Sequence, residues 1–168
     1  MPSLLLFRHG KSDWNADPGG PDRLRPLAPR GERAARRMGR FMARAGQVPD
    51  AAIVSPARRA EDTLRWAMTA GGWTCPTRTA EPLYGGGVSG LLAEIRPEPA
   101  TTDLLLAVGH EPAWSESLAV LVGGGRLRFP TAALARVDLD IDAWNGVGPG
   151  TGVLAWSVVP RLLTKGGR

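Results

Sequence analysis

The chain carries two histidines, and each stands just past a short apolar run. Leu4 to Phe7 lead into Arg8, His9 and Gly10, and Leu104 to Val108 lead into Gly109 and His110. An imidazole is a nucleophile or a general base near neutral pH. A guanidinium offers paired donors in the geometry of a phosphate. Gly10 lets the backbone turn sharply and a ligand come close. With Arg58 and Arg25, the residues Arg8 and His110 would make a pocket for a dianion, whose three phosphoryl oxygens need several donors. Positive neighbours keep a histidine neutral. His9 can then attack phosphorus in line and form a phosphohistidine that water hydrolyses. His110 can donate to the phosphoryl oxygens as charge redistributes. Other readings stand beside this one. His110 can be a polar cap on the following helix, and Arg58 a surface arginine beside Arg59. Two zinc-ligating histidines would need a third ligand at a recognisable spacing, and the arginines would repel the cation.

These residues need elements to hold them. Short continuous apolar runs bounded by breakers predict buried strands at residues 4–7, 51–54 and 104–108, with a further one at 74–79. Helical spacing predicts a helix over residues 29–46, with Pro29 in its first turn, Ala34, Met38, Phe41 and Met42 on its apolar stripe and Gly46 as its stop. A second helix is predicted over residues 57–70, with Ser55 as N-cap and Pro56 in the first turn. Residues 11–27 and 81–90 read as loops, because Pro and Gly are dense there. Leu91, Leu92 and Ile95 mark a short helix, residues 113–122 another, and residues 133–139 and 153–159 a β-pair. Alternating strands and helices imply an α/β fold: a three-layer α/β/α domain over residues 1–168, its central sheet mostly parallel, with helices on both faces. In a parallel sheet the strand ends share one edge, which would gather Arg8, His9, Arg58 and His110.

Apolar residues are 43% and charged residues 22%, which excludes a disordered chain. No apolar run approaches the roughly 20 residues of a membrane helix, and the first ten residues lack the charged start of a signal peptide. Cys75 is the only cysteine, so no internal disulfide forms, as expected of a cytoplasmic protein. The formal charge is 21 − 16 = +5, and much of it lies in Arg30, Arg33, Arg36, Arg37, Arg40 and Arg44. That cluster reads as the solvated face of a helix. Without a groove-reading motif or interleaved aromatics, nucleic acid is not the expected partner.

Arg8-His9-Gly10 resembles the signature of the histidine phosphatase (phosphoglycerate mutase-like) superfamily. Ser55-Pro56-Ala57-Arg58-Arg59-Ala60-Glu61-Asp62-Thr63 is similar to its second motif, in which an arginine directly precedes an alanine. Val108-Gly109-His110 is similar to its third. The resemblance selects Arg59 over Arg58 as the arginine of the site, with Arg58 as the alternate. Within the superfamily, residues 8–14 and Asp22-Arg23-Leu24-Arg25-Pro26-Leu27 resemble the SixA-type phosphohistidine phosphatases, which implies that Asp22 and Arg25 belong to the site. Many superfamily members place a glutamate after the third strand as general acid; Glu81 lies near that position, and Asp22 is the other candidate. The chain also lacks the long helical insertion that covers the site in mutases.

The resemblance thus implies catalytic Arg8, His9, Arg59 and His110, with phosphate bound by Arg8, Arg25, Arg59 and His110. It implies no metal and no cofactor. The expected activity is hydrolysis of protein phosphohistidine through a phosphohistidine intermediate, with a phosphorylated protein of the histidine phosphotransfer type as partner, and neither nucleic acid nor membrane. A phosphatase for small phosphomonoesters is the alternative, and a non-catalytic phosphate-binding regulatory module is the alternative of another class.

Overall fold

A run of four leucine and phenylalanine side chains with no polar break has to be covered on both faces, and the structure covers it. The computed structural model describes residues 1–163. Residues 164–168 of the expected domain lie outside the described residues. The first strand, β1 (Ser3–Arg8), is followed by α1 (Pro29–Arg44), β2 (Ala51–Val54), α2 (Arg58–Gly71), β3 (Thr77–Thr79), α3 (Gly87–Ile95), β4 (Leu104–Gly109), α4 (Ala113–Leu121), β5 (Leu134–Leu139) and β6 (Gly152–Val158). The strands form one sheet in the order β3-β2-β4-β1-β5-β6. β1 pairs in parallel with β4, β4 with β2, and β2 with β3. β5 runs antiparallel to β1, and β6 antiparallel to β5. The mostly parallel sheet is as expected, and the antiparallel pair falls at residues 133–159.

Because strand side chains alternate between faces, β1 feeds two cores. Leu4 and Leu6 pack with Leu105, Ala107, Leu91 of α3 and Trp114 and Leu118 of α4. Leu5 and Phe7 pack on the other face with Leu106, Val108, Met38 and Met42 of α1 and Leu64 and Ala67 of α2. All four β1 side chains are fully buried. Each contributes roughly 1.5–3 kcal/mol through burial. The strand end that carries Arg8 and His9 is therefore held rigidly. α1 and α2 lie so close that a Cβ on Gly39 would strike the backbone carbonyl of Ala67.

Several local expectations are corrected. Ser55 is not the N-cap of α2: Ala57 occupies that position, and the helix begins at Arg58, two residues past Pro56. The third strand spans only Thr77–Thr79. The arginines of α1 are not all a solvated face. Arg36 stacks on the Trp66 ring at 3.7 Å, and Arg37 donates to the Pro160 carbonyl at 3.2 Å. Among the described residues no helix is long and apolar enough to cross a membrane.

Candidate active site

The site forms where β1 and β4 end side by side. Arg8 pairs in register with Gly109, and the His9 amide donates to the Gly109 carbonyl at 3.0 Å. The His9 carbonyl accepts from the Ala132 amide at 3.0 Å. The backbone of His9 is thus clamped between the end of β4 and the segment entering β5. Gly10 must be glycine for steric reasons, since a Cβ there would lie 2.7 Å from the Gly31 carbonyl oxygen at the start of α1. Thr63 Oγ1 accepts from the Gly10 amide at 3.0 Å and donates to the Arg59 carbonyl at 2.6 Å. One buried hydroxyl therefore ties the His9 turn to the first turn of α2.

His9 is buried, and its Nδ1 stands 2.7 Å from the Gly10 carbonyl. A carbonyl only accepts, so Nδ1 carries the proton and Nε2 carries the free lone pair. His110 follows β4 with its ring centroid 5.0 Å from that of His9. Its Nε2 lies 2.7 Å from Ser55 Oγ, and its buried Nδ1 has no protein partner among the described residues. Ser55 is thus the support of the second histidine rather than a helix cap. The half-buried Arg8 donates from Nη1 to the Phe129 carbonyl at 2.7 Å.

Adjacent residues on an α-helix point about 100° apart, so only one of Arg58 and Arg59 can face inward. Arg59 does: it is 5% exposed, and it donates to the Asp22 carbonyl at 2.8 Å and to the Asp22 carboxylate at 2.9 Å. The side chain of Arg58 is 59% exposed and pairs with Asp62 at 3.6 Å along the helix.

The loop after β1 brings Asp22 and Arg25 to these groups. Arg25 Nη2 lies 2.8 Å from Asp22 Oδ1, and its guanidinium stacks 3.4 Å above the exposed Trp14 ring. Tyr84 donates its hydroxyl to Asp22 Oδ2 at 2.9 Å, and its ring meets His110 edge-on at 5.8 Å. Glu81 sits at the rim, its side chain 72% exposed and ion-paired with Arg23, whose guanidinium also lies over the Tyr84 ring.

Burial pushes the His9 imidazole down to about 3; the Gly10 carbonyl pulls upward, and His110, Arg59 and Arg8 push it further down. Burial likewise pushes His110 to about 4, with Arg59, Arg8 and Arg25 acting in the same direction against Asp22. Partial burial raises Asp22, but the hydrogen bonds from Tyr84 and Arg59 and the charges of Arg59 and Arg25 outweigh it, holding the carboxyl below its usual range. The hydrogen bond to Asp22 raises the Tyr84 phenol. Burial lowers the Arg8 guanidinium, against the nearby Glu111 charge. The result is a neutral histidine pair ringed by guanidinium groups, two of which, Arg25 and Arg59, are braced by an ionised aspartate. Nε of Arg8, Arg25 and Arg59 are buried without protein partners among the described residues. Such an array can receive a phosphoryl group and present a nucleophilic nitrogen to it. No group of three or more His, Cys, Asp or Glu that could hold a metal occurs among the described residues.

Comparison with known proteins agrees with this geometry. The profile of the histidine phosphatase superfamily (branch 1) matches residues 4–122, from inside β1 to the end of α4. This chain belongs to the histidine phosphatase superfamily. As a member it is an enzyme of the phosphatase class. It is 36% identical to an uncharacterized protein of Mycobacterium tuberculosis (strain ATCC 25618 / H37Rv), over 92% of this chain and 100% of that one. Its fold superposes on a putative phosphohistidine phosphatase SixA from Nakamurella multipartitia with a TM-score of 0.79 at 28% identity, covering 95% and 96% of the two chains. It also superposes on the protein histidine phosphatase SixA complexed with tungstate, with a TM-score of 0.82 at 25% identity over 96% and 99% of the chains.

The structure brings together Arg8, His9, Arg25, Arg59, His110 and Asp22. It leaves Arg58 outside and Glu81 at the rim. Three members of this histidine phosphatase site escaped the sequence reading. Tyr84 has no motif around it, Thr63 is one letter of a motif, and Ser55 stands where the sequence predicts a cap. For Thr63 the signal was present: a threonine four residues after a site arginine lies one helical turn away on the same face.

Proposed function

We propose that this histidine phosphatase hydrolyses phosphohistidine on proteins by way of a phosphoryl group carried on His9. The observation that carries the reading is the state of Asp22: the carboxylate tied into the site is held ionised by Arg59, Arg25 and Tyr84. Glu81 is engaged by Arg23, and Glu111 accepts from the Ser115 amide at 2.9 Å. Carboxylates committed as acceptors are poor proton donors. An alkoxide leaving group needs a donor; an imidazole, with a reference pKa of about 6.5, can leave with a proton carried on its own second nitrogen.

The geometry supports the following steps. Arg8, Arg25, Arg59 and His110 bind the phosphoryl oxygens as donors. Ser55 Oγ, 2.7 Å from His110 Nε2, fixes the orientation of the ring. His9 Nε2 attacks phosphorus as the bond to the substrate nitrogen breaks, and the substrate imidazole departs neutral. The new P–N bond on His9 is then broken by in-line attack of water, which releases phosphate and restores the free lone pair. Charge that gathers on the equatorial oxygens is met by donors already in place. Arg58 has no part in these steps. The fold likeness to a SixA solved with tungstate, a tetrahedral oxyanion, supports oxyanion binding by this chain.

A second reading, hydrolysis of small phosphomonoesters, draws on Glu81, whose exposed carboxylate is held in place by an exposed arginine. A kinetic panel separates the two. A phosphohistidine peptide should be hydrolysed with higher kcat/KM than sugar or glycerate phosphates, and Glu81→Gln should leave that activity within about twofold. If a phosphomonoester is preferred and Glu81→Gln abolishes its hydrolysis alone, Glu81 is a working acid and the second reading holds. No turnover of any phosphorylated substrate would instead mark a phosphate-binding module.

A further inference from the structure

Arg8 faces two ways. Besides closing the phosphoryl site, it lines a groove of about 890 Å³ between the start of α1, residues 127–131 and residues 159–161. That volume lies at the upper end of the roughly 300–1,000 Å³ usual for ligand sites. Five other cations line the groove, namely Lys11, Arg30, Arg37, Arg128 and Arg161, against the single carboxylate of Glu111. Glu111 is already committed to the Ser115 amide, and Arg37 to the Pro160 carbonyl, a bond that ties two walls together. Lys11, Arg30 and Arg128 are exposed. Between the cations the wall is apolar, formed by Ala34, Leu127 and Val159, which also pack on the protein core.

A cleft lined by one sign of charge focuses its field and concentrates ligands of the opposite sign. Free phosphate would need only two or three of these cations and none of the apolar wall. A single-stranded nucleic acid would need exposed rings for its bases, whereas Phe129, the one aromatic lining the groove among the described residues, is 3% exposed. An extended peptide with carboxylates spaced around an apolar side chain matches both features.

We propose that this groove seats an acidic segment of the phosphorylated protein substrate. The segment's carboxylates meet Lys11, Arg30 and Arg128, and an apolar side chain rests against Leu127 and Val159. The inference rests on the protein-phosphohistidine reading above and adds how such a protein is chosen. Because Arg8 belongs to both places, the segment would lie next to the phosphoryl group. Affinity spent in the groove is uniform binding, so it lowers KM without changing kcat.

The test uses two phosphohistidine peptides of equal length, one flanked by Glu and Leu and the other by Gln and Leu. Wild-type protein should prefer the acidic peptide by about tenfold or more in kcat/KM, which corresponds to about 1.4 kcal/mol. The preference should lie in KM and shrink to about twofold in roughly 0.5 M salt. In a variant carrying Arg30→Glu and Arg128→Glu it should also fall to about twofold, while hydrolysis of an aryl phosphate stays within about twofold. If the charge reversal unfolds the protein, Arg30→Gln with Arg128→Gln gives the same readout. Wild-type protein that does not distinguish the peptides, or a variant that keeps the preference, overturns the groove assignment. So does a labelled acidic peptide displaced more readily by a single-stranded oligonucleotide than by its own unlabelled form. Wild-type protein that turns over the aryl phosphate and neither peptide overturns the protein-phosphohistidine reading itself, and the groove assignment with it.

Discussion

Asp22 engages both ends of the Arg59 fork: its carbonyl accepts from Nη1 at 2.8 Å and its carboxylate from Nη2 at 2.9 Å. The same carboxylate holds Arg25 at 2.8 Å and accepts from Tyr84 at 2.9 Å. In the proposed mechanism Asp22 is a positioning residue that aims two guanidinium groups rather than a proton donor. Asp22→Asn should lower kcat/KM by about tenfold, the scale of one charge-assisted contact. Its pH profile should keep any basic limb of the wild type. Loss of that limb in Asp22→Asn would make Asp22 the acid.

Arg59 and Arg58 are neighbours with opposite fates. Arg59 is 5% exposed and faces the histidines, whereas Arg58 is exposed and pairs with Asp62. Arg59→Ala should reduce kcat/KM by about 10²–10³, as expected for one preorganised donor to a charged transition state. Arg58→Ala should stay within about twofold, because exposed ion pairs contribute little. Paired kinetics on the two variants checks this, and the reverse order would place the wrong arginine in the site.

The histidine pair sets a pH dependence with a definite sign. Burial pushes His9 to about 3 and His110 to about 4, whereas an unfolded histidine titrates near 6.5. Between those values the unfolded chain binds more protons than the folded one. The stability from keeping both rings neutral is therefore fully present above about pH 6.5 and is lost as the pH falls toward about 4 and then 3. Urea unfolding midpoints should drop from pH 7 to pH 5, and His110→Asn should flatten that slope. Imidazole nitrogen NMR on the native protein should show both rings neutral at pH 5. A ring that titrates near 6.5 would contradict the buried geometry.

Ser55 holds His110 at 2.7 Å from Oγ to Nε2. Ser55→Ala should leave the fold intact and lower kcat by about tenfold, because a misaimed donor loses transition-state stabilisation. The imidazole nitrogen shifts of His110 should change while those of His9 hold. Unchanged shifts and full activity would assign Ser55 to packing alone.

Much of this site was legible because strand ends are. The apolar runs of β1 and β4 are continuous and bounded by glycine, so Arg8, His9 and His110 could be placed on one sheet edge from the chain alone. The choice between Arg58 and Arg59 could not be made from periodicity. A start read one residue early rotates a helix by about 100° and swaps which arginine faces in; here the motif resemblance made the choice. Glu81 meets Arg23 across 58 residues of sequence and Tyr84 meets Asp22 across 62, through loop contacts that carry no periodic signal. Arg36 and Arg37 looked solvated because each is charged, yet Trp66 and the Pro160 carbonyl give them partners that only the packed structure supplies.

In the proposed mechanism His9 Nε2 receives the phosphoryl group, and trapping measures that transfer directly. Wild-type protein is mixed with a radiolabelled phosphoramidate, quenched in base within the first turnover and mapped by peptide. Acid-labile, base-stable phosphate should appear on the peptide containing His9, stay there in His110→Asn at a slower rate, and vanish in His9→Asn together with turnover. Label on the His110 peptide, or full turnover by His9→Asn, would contradict the mechanism.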